Sequence, residues 1–325
     1  MINTILRKSL YVVLFGILLP AFLHARAAGE RTNELTIYSI RGPSGVGLIR
    51  LFEEPPQIDG FNVRLEALAN QDLMAARFIS GEAMIGILPT NMAATIASSD
   101  IDIRVLAVIF NGMLSLLTID PDLQSIADLR GKTVQVAGQG ATPDFVFRRI
   151  LRFHGLDPSR DISLGYAMAF PEIAQSLIAG RISTALLPEP FATMARMGRP
   201  DIRVISDIQE EWIMTGGHGN YPMTLLVANG AFTDANPAAV ARILNDARNS
   251  IEWVTANPAE AGQLVEKHEL GLRAPIVAAA IPNSNYVFIP ALQARQSIEA
   301  LFRVFLENDP ASIGGALPTD RFYHR

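Results

Sequence analysis

Two glycine loops are the first places in this chain where chemistry could occur: Arg41-Gly42-Pro43-Ser44-Gly45 and Gly138-Gln139-Gly140-Ala141-Thr142. Each follows a β-forming run and precedes a helix. Backbone N–H groups at Gly45, Gly140 and Ala141, with the Ser44 or Thr142 hydroxyl, could therefore face an anionic or polar ligand atom. The plainer alternative is that both loops only turn the chain. Neither is a nucleotide fingerprint: Gly138-Gln139-Gly140 lacks the third glycine of G-x-G-x-x-G, and G-x-x-x-x-G-K-[ST] does not occur. Val46 takes the last place of G-x-S-x-G, so Ser44 is not on a nucleophile elbow.

Two Leu-Pro corners offer a second set of groups. Residues 78–94 read FISGEAMIGILPTNMAA, and residues 177–193 read LIAGRISTALLPEPFAT; shifted by 99 positions they superpose without a gap. Each ends a helix, turns at glycine, runs through a buried strand and opens another helix at Leu-Pro. Thr90 and Asn91 follow one proline, Glu189 and Pro190 follow the other. A carboxylate at a helix start is favoured by the helix dipole without any ligand, so Glu189 is either a cap or a contact for a hydrogen-bond donor. Trp212 and Tyr221 flank Gly216-Gly217-His218-Gly219, where they could stack on a planar ligand, and Asn111 could add an amide. Trp253 falls in a helical apolar stripe and reads as core.

Catalysis and metal binding find little support. The chain contains no cysteine, which excludes disulfides, thiolate metal sites and a cysteine nucleophile. His154, His218, His268 and His324 stand at no ligand spacing from one another, and H-E-x-x-H is absent. Glu53-Glu54 and Glu210-Glu211 read as solvated surface. No cofactor, no metal and no enzymatic activity are expected.

The elements that must position these groups follow from the pattern. Residues 1–28 have the layout of a cleaved secretory signal: Arg7 and Lys8, an apolar stretch over 10–23, then Ala25-Arg26-Ala27. That stretch is shorter than the roughly 20 residues of a membrane span. Cleavage removes three basic groups and no acidic one, so the formal charge of −5 becomes −8. An acidic chain without a Lys/Arg-rich run is a poor nucleic-acid partner. Without cysteine there is no lipid-modified cysteine, so a free periplasmic form is expected.

From residue 35 onward strands and helices alternate, which predicts an α/β fold with largely parallel sheets. Strands are expected at 35–40, 61–68, 83–88, 103–109, 133–137 and 222–228. Long helices are expected at 237–255, 258–268 and 291–306, with Asn236-Pro237 and Asn257-Pro258 as capping starts. In the helix opened by Pro143, Val146, Ile150 and Phe153 share a face, and Arg148, Arg149 and Arg152 should face water. The repeat gives two lobes: lobe one over 29–117, lobe two over 118–222, and a return to lobe one over 223–325. The hinge crossings are expected near 116–119 and 221–225.

Taken together, Arg41-Gly42-Pro43-Ser44-Gly45-Val46-Gly47, Leu88-Pro89-Thr90-Asn91, Gly138-Gln139-Gly140-Ala141-Thr142-Pro143-Asp144, Leu186-Leu187-Pro188-Glu189-Pro190-Phe191, Glu210-Glu211-Trp212 and Ser312-Ile313-Gly314-Gly315-Ala316-Leu317-Pro318 resemble the solute-binding proteins of ABC importers. The group resembled is the nitrate/sulfonate/taurine and thiamine-pyrimidine-precursor one, over essentially the whole mature chain. The resemblance implies a type II periplasmic binding fold, two α/β lobes that close on a small molecule and present it to membrane permease subunits. By position it carries ligand contact over to Ser44, Gly45, Thr90, Asn91, Gly140, Ala141, Thr142 and Glu189. A small, heteroaromatic or anionic solute and a monomeric protein are expected. Two alternatives stay open: an enzyme on the same scaffold, pyrimidine-forming or dehydratase-like, and a periplasmic sensor subunit. Pyrimidine-forming relatives use a cysteine-rich segment that this chain lacks.

Overall fold

The structure, a computed structural model, describes residues 33–325. The signal read at 1–28 lies outside the described residues. Among the described residues eleven strands form two sheets. The first holds β1 (Asn33–Ile40), β2 (Phe61–Leu68), β3 (Ile85–Pro89), β4 (Ile103–Asn111), β10 (Pro222–Asn229) and β11 (Tyr286–Pro290), in the order β11-β4-β10-β3-β1-β2. The second holds β5 (Leu114–Thr118), β6 (Thr133–Val136), β7 (Ser163–Gly165), β8 (Thr184–Pro188) and β9 (Arg203–Asp207), in the order β7-β6-β8-β5-β9. Both repeated strands, β3 and β8, lie inside their sheets and are almost wholly buried, as continuous apolar runs require.

The sheets are mixed rather than largely parallel. β1 pairs in parallel with β2 and β3, and β6 with β7 and β8. β10 is antiparallel to β3 and β4, and β5 to β8 and β9. The reason is geometric. β5 and β10 are the strands that leave the crossings, so they run against β8 and β3, which arrive at them. The edge strand β11 is antiparallel to β4, with an irregular register between Tyr286 and Ile289.

β4 ends at Asn111 in the first sheet and β5 begins at Leu114 in the second, so the chain changes sheet at Gly112-Met113. The expected crossing at 116–119 falls instead within and just after β5. The return runs through 215–221 and enters β10 at Pro222. The two crossings are bonded to each other, Gly112 N donating to the Tyr221 carbonyl at 2.8 Å. The Gly112 carbonyl accepts from the side-chain amides of Asn220 and Asn285. Glycine is required at 112 because a Cβ there would collide with the Tyr221 ring.

Helix Ala291–Asn308 packs on the first sheet, and its C-terminal turn reaches helix Thr142–Phe153 of the second lobe. Phe305 meets Phe145 edge-on at 5.2 Å, Arg152 donates to Asn308 Oδ1 at 2.9 Å, and Arg149 lies 3.7 Å from Glu307. The arginines expected to face water are therefore engaged: Arg149 and Arg152 in this brace, Arg148 with Asp144. Phe305→Leu should cost about 1 kcal/mol, the worth of an edge-on aromatic pair, measured by urea unfolding; an unchanged midpoint would show that the contact carries no load.

Asn236 and Asn257 stand where the helices Pro237–Ala256 and Pro258–Lys267 begin, but their side chains do not cap them. Each donates backwards, to the Phe232 and Trp253 carbonyls respectively, closing the preceding helix. With proline at the first helical position one N–H is already missing, and the Asn amides serve the unsatisfied carbonyls instead.

Candidate interlobe site

The repeated corners meet at the crossings. Pro89, the last residue of β3, pairs with Thr224, three residues after Tyr221. Pro188, the last residue of β8, pairs with Leu114, two residues after Gly112. β1 runs parallel to β3 and β6 parallel to β8, so loops 41–45 and 137–142 leave their sheets at the same edges as the corners. The carboxyl ends of β1, β3, β6 and β8 thus converge on the hinge, where ligands sit in open α/β sheets.

In the first lobe much of the polarity is already committed. Ser44 Oγ accepts from Thr224 Oγ1 at 3.2 Å, and Thr90 Oγ1, fully buried, donates to the Pro222 carbonyl at 2.8 Å. Thr90 therefore ties the β3 corner to the returning strand. Gly45 is buried with no room for a Cβ, which would press on the Ile40 carbonyl and on Ser39 Oγ. Asn91 is half-buried and, among the described residues, its side chain has no hydrogen-bond partner.

In the second lobe the glycine loop is pinned from within. Gly138 and Gly140 both have left-handed backbones, with φ of 76° and 74°. The Gly140 N–H, read as a ligand donor, is taken by Asp144 Oδ2 at 2.9 Å. Asp144 Oδ1 also accepts from Arg148 Nε and from the Tyr166 hydroxyl, each at 2.6 Å. Burial, and then Asp144, push the Tyr166 phenol well above its ordinary range. The Ala141 N–H turns back to the Gly138 carbonyl, and Thr142, buried, opens the helix. Asp144→Asn should loosen this loop and cost about 2 kcal/mol, since bonds to charged partners are lost; thermal unfolding would read it, and an unchanged melting temperature would refute it.

Glu189 is the second buried carboxylate at the site, after Asp144. It is 5% exposed, on the turn between β8 and helix Phe191–Gly198, and its backbone N–H is held by the Met113 carbonyl at the first crossing. Its Oε2 accepts from the Thr193 N–H at 3.0 Å. Burial raises the carboxyl above its ordinary range; the Thr193 bonds and the Arg196 charge pull the other way. Glu189 is thus a cap, as one reading of the sequence held, but the cap engages only one carboxylate oxygen. Among the described residues no cation lies within ion-pair distance of it.

Tyr286 of β11 faces it from the other lobe. Burial first, and the Glu189 charge second, push its phenol far above the ordinary range. Its hydroxyl donates to the Pro43 carbonyl at 3.1 Å, and its ring stacks on Phe110 at 5.4 Å. Beside it, Asn111 is 7% exposed, and its Oδ1 is buried without a hydrogen-bond partner among the described residues. Asn111, one of the residues expected from the sequence to offer an amide, lies here with an acceptor that no other described residue uses. Tyr286, Thr224 and Asp144 were missed there. Only Asp144 had a local signal, an acid in the first turn of a helix after a glycine loop.

The two rings expected to stack on a ligand are occupied by packing. Trp212 and Tyr221 are 1% and 0% exposed and meet edge-on at 5.6 Å. Tyr221 covers Gly112 and donates to Gln209 Oε1 at 2.6 Å; Trp212 covers Gly217 and lies under the Arg149 guanidinium at 5.6 Å. Both build the hinge. Glu211, read as solvated, is held by Ser206 and by His154 Nε2 at 2.6 Å.

Two lobes bridged by paired crossings, with a buried polar site at their junction, define the two-lobed fold of periplasmic binding proteins. The chain belongs to the NMT1/THI5-like family, whose match covers residues 57–261. No curated protein matches it in sequence. Among solved structures it is similar to an ABC transporter protein from Parabacteroides distasonis, at 24% identity over 90% of this chain and 99% of that one, with a TM-score of 0.77. It is also similar to the periplasmic aliphatic sulphonate binding protein of Escherichia coli, at 16% identity over 88% and 93% of the chains, with a TM-score of 0.70. A third is the alkanesulfonate-binding protein of Xanthomonas axonopodis pv. citri bound to MOPS, at 15% identity over 89% and 95%, with a TM-score of 0.63.

Proposed function

We propose that this chain is the solute-binding component of an ABC-type importer, exported to the periplasm, where it acts as a monomer. It captures a small molecule between the lobes by hinge closure and delivers it to membrane permease subunits. The observation that carries this reading is the convergence of both Leu-Pro corners on two hydrogen-bonded crossings, around a buried and half-satisfied carboxylate. Family membership and the solute-binding proteins among its structural neighbours support it.

The solute proposed here differs in chemistry from the sulfonates of those neighbours. Glu189 has an accepting oxygen to spare, and so does Asn111. Both call for N–H donors, as on an amine, an amidine-like edge or an amino-substituted ring. A sulfonate beside an ionised, buried Glu189 would set two like charges in a dry site. Native mass spectrometry of protein purified from its own periplasm should find an N–H-bearing small molecule bound, released unchanged. Small-angle scattering should then show closure when it is added back. A hinge angle unmoved by every co-purifying or candidate solute would sink the reading, and turnover of the solute would replace it with an enzyme.

A further inference from the structure

The tail motif Ser312-Ile313-Gly314-Gly315-Ala316-Leu317-Pro318 has no part in the interlobe site. It instead closes a cavity of about 350 Å³ at the far pole of the first lobe. Helix Thr90–Ser98 begins at the β3 corner and ends at this cavity, and residues 100–103, which lead into β4, form its floor. Gly314 and Gly315 are both left-handed, at φ 77° and 87°, and Gly314 lies so close to Ser98 that a Cβ would overlap its side chain. The Thr95 hydroxyl fixes the tail by donating to the Ser312 carbonyl at 2.8 Å.

The lining is mixed: Ala94, Ala97, Ile101, Ile313, Leu317 and Phe322 give it an apolar side, beside polar and charged groups. The polar groups on the lining are unbalanced in charge. Asp102 is shared by Arg321 at 2.7 Å and Arg104 at 3.4 Å, and Arg104 is itself clamped by Asp234 at 2.6 Å. Asp100, an exposed residue at the mouth, lines the same space, and among the described residues no cation stands within ion-pair distance of it. The carboxyl end of helix Thr90–Ser98 adds partial negative charge at the same place. A pocket with one apolar side and a surplus of negative charge suits a cation that carries an apolar body.

We propose that this cavity is a second binding site, separate from the interlobe one, for a small organic monocation: a primary ammonium group held by Asp100 over an apolar body seated between Ile101, Leu317 and Phe322. The probe is 2-phenylethylammonium, titrated calorimetrically into the full mature protein. Saturable binding is expected, at least tenfold weaker for Asp100→Asn and for the uncharged analogue 2-phenylethanol. Asparagine is the right substitution because residue 100 has φ 61°, which Asn tolerates. In Glu189→Gln the Asp100-dependent component of the titration should persist even where the cleft loses its own share of the amine, which separates this site from the cleft. Absence of saturable binding, equal binding by Asp100→Asn, or loss of the Asp100-dependent component in Glu189→Gln would each overturn the proposal.

Discussion

Glu189→Gln should weaken capture of the co-purifying solute by about 10- to 150-fold, the loss of a hydrogen bond to a charged acceptor worth about 1.5–3 kcal/mol. The substitution keeps volume and can still accept from Thr193, so the fold should survive. The pH profile carries the sign. Burial raises this carboxyl in the free protein. If the solute donates to the carboxylate, binding favours the ionised form, and wild-type affinity must fall as pH drops through the raised pKa. The Gln variant should be flat there. A wild-type affinity that instead rises on acidification would mean that a protonated Glu189 donates to an anion, which would return the protein to the sulfonate chemistry of its neighbours. The stability of the empty protein runs the other way. A raised folded-state pKa stabilises fully below the unfolded value, about 4.3, and that stabilisation is lost as pH rises through the folded value. At neutral pH the Gln variant should therefore melt higher than the empty wild type, and an equal or lower melting temperature would contradict the burial argument.

Gly112→Ala should be the most damaging change to the hinge, costing about 3 kcal/mol by urea unfolding, at the upper end of ordinary overpacking. The new methyl has nowhere to go: it points into the Tyr221 ring, and Tyr221 is wedged between Gly112 and Trp212. Moving the ring would also break its bond to Gln209, which in turn receives the Leu114 N–H at 2.8 Å. Trimming the ring in Gly112→Ala/Tyr221→Leu should recover part of the loss, since the two residues share one space. A single variant within 0.5 kcal/mol of wild type would show that the crossings are loosely packed.

The legible and illegible parts of this site divide on sequence distance. The repeat placed both corners, because a buried strand ending in Leu-Pro is a local pattern, and β2 and helix Gln71–Ile79 were read to the residue. Nothing local says that β5 and β10 reverse direction, because that follows from where the chain changes lobes. The irregular edge strand β11 went unread, so Tyr286 could not be set against Phe110, 176 residues earlier, or opposite Glu189. The loops showed where backbone donors could lie but not whether they were free. Asp144, four residues after Gly140, decides that. Trp212 and Tyr221 are packed against each other beside the second crossing, and scarcity of aromatics in a sequence does not distinguish a ligand platform from a bearing.

The wedge at the crossings also makes the protein its own optical instrument. The chain holds two tryptophans. Trp253 lies on helix Pro237–Ala256 beneath the Arg50 guanidinium, whereas Trp212 sits at the pivot, its indole N–H without a partner among the described residues and a cation over its ring. Trp253→Phe would leave one emitter at the pivot. Its wavelength and quenching would then follow the angle between the lobes without a dye or an engineered label.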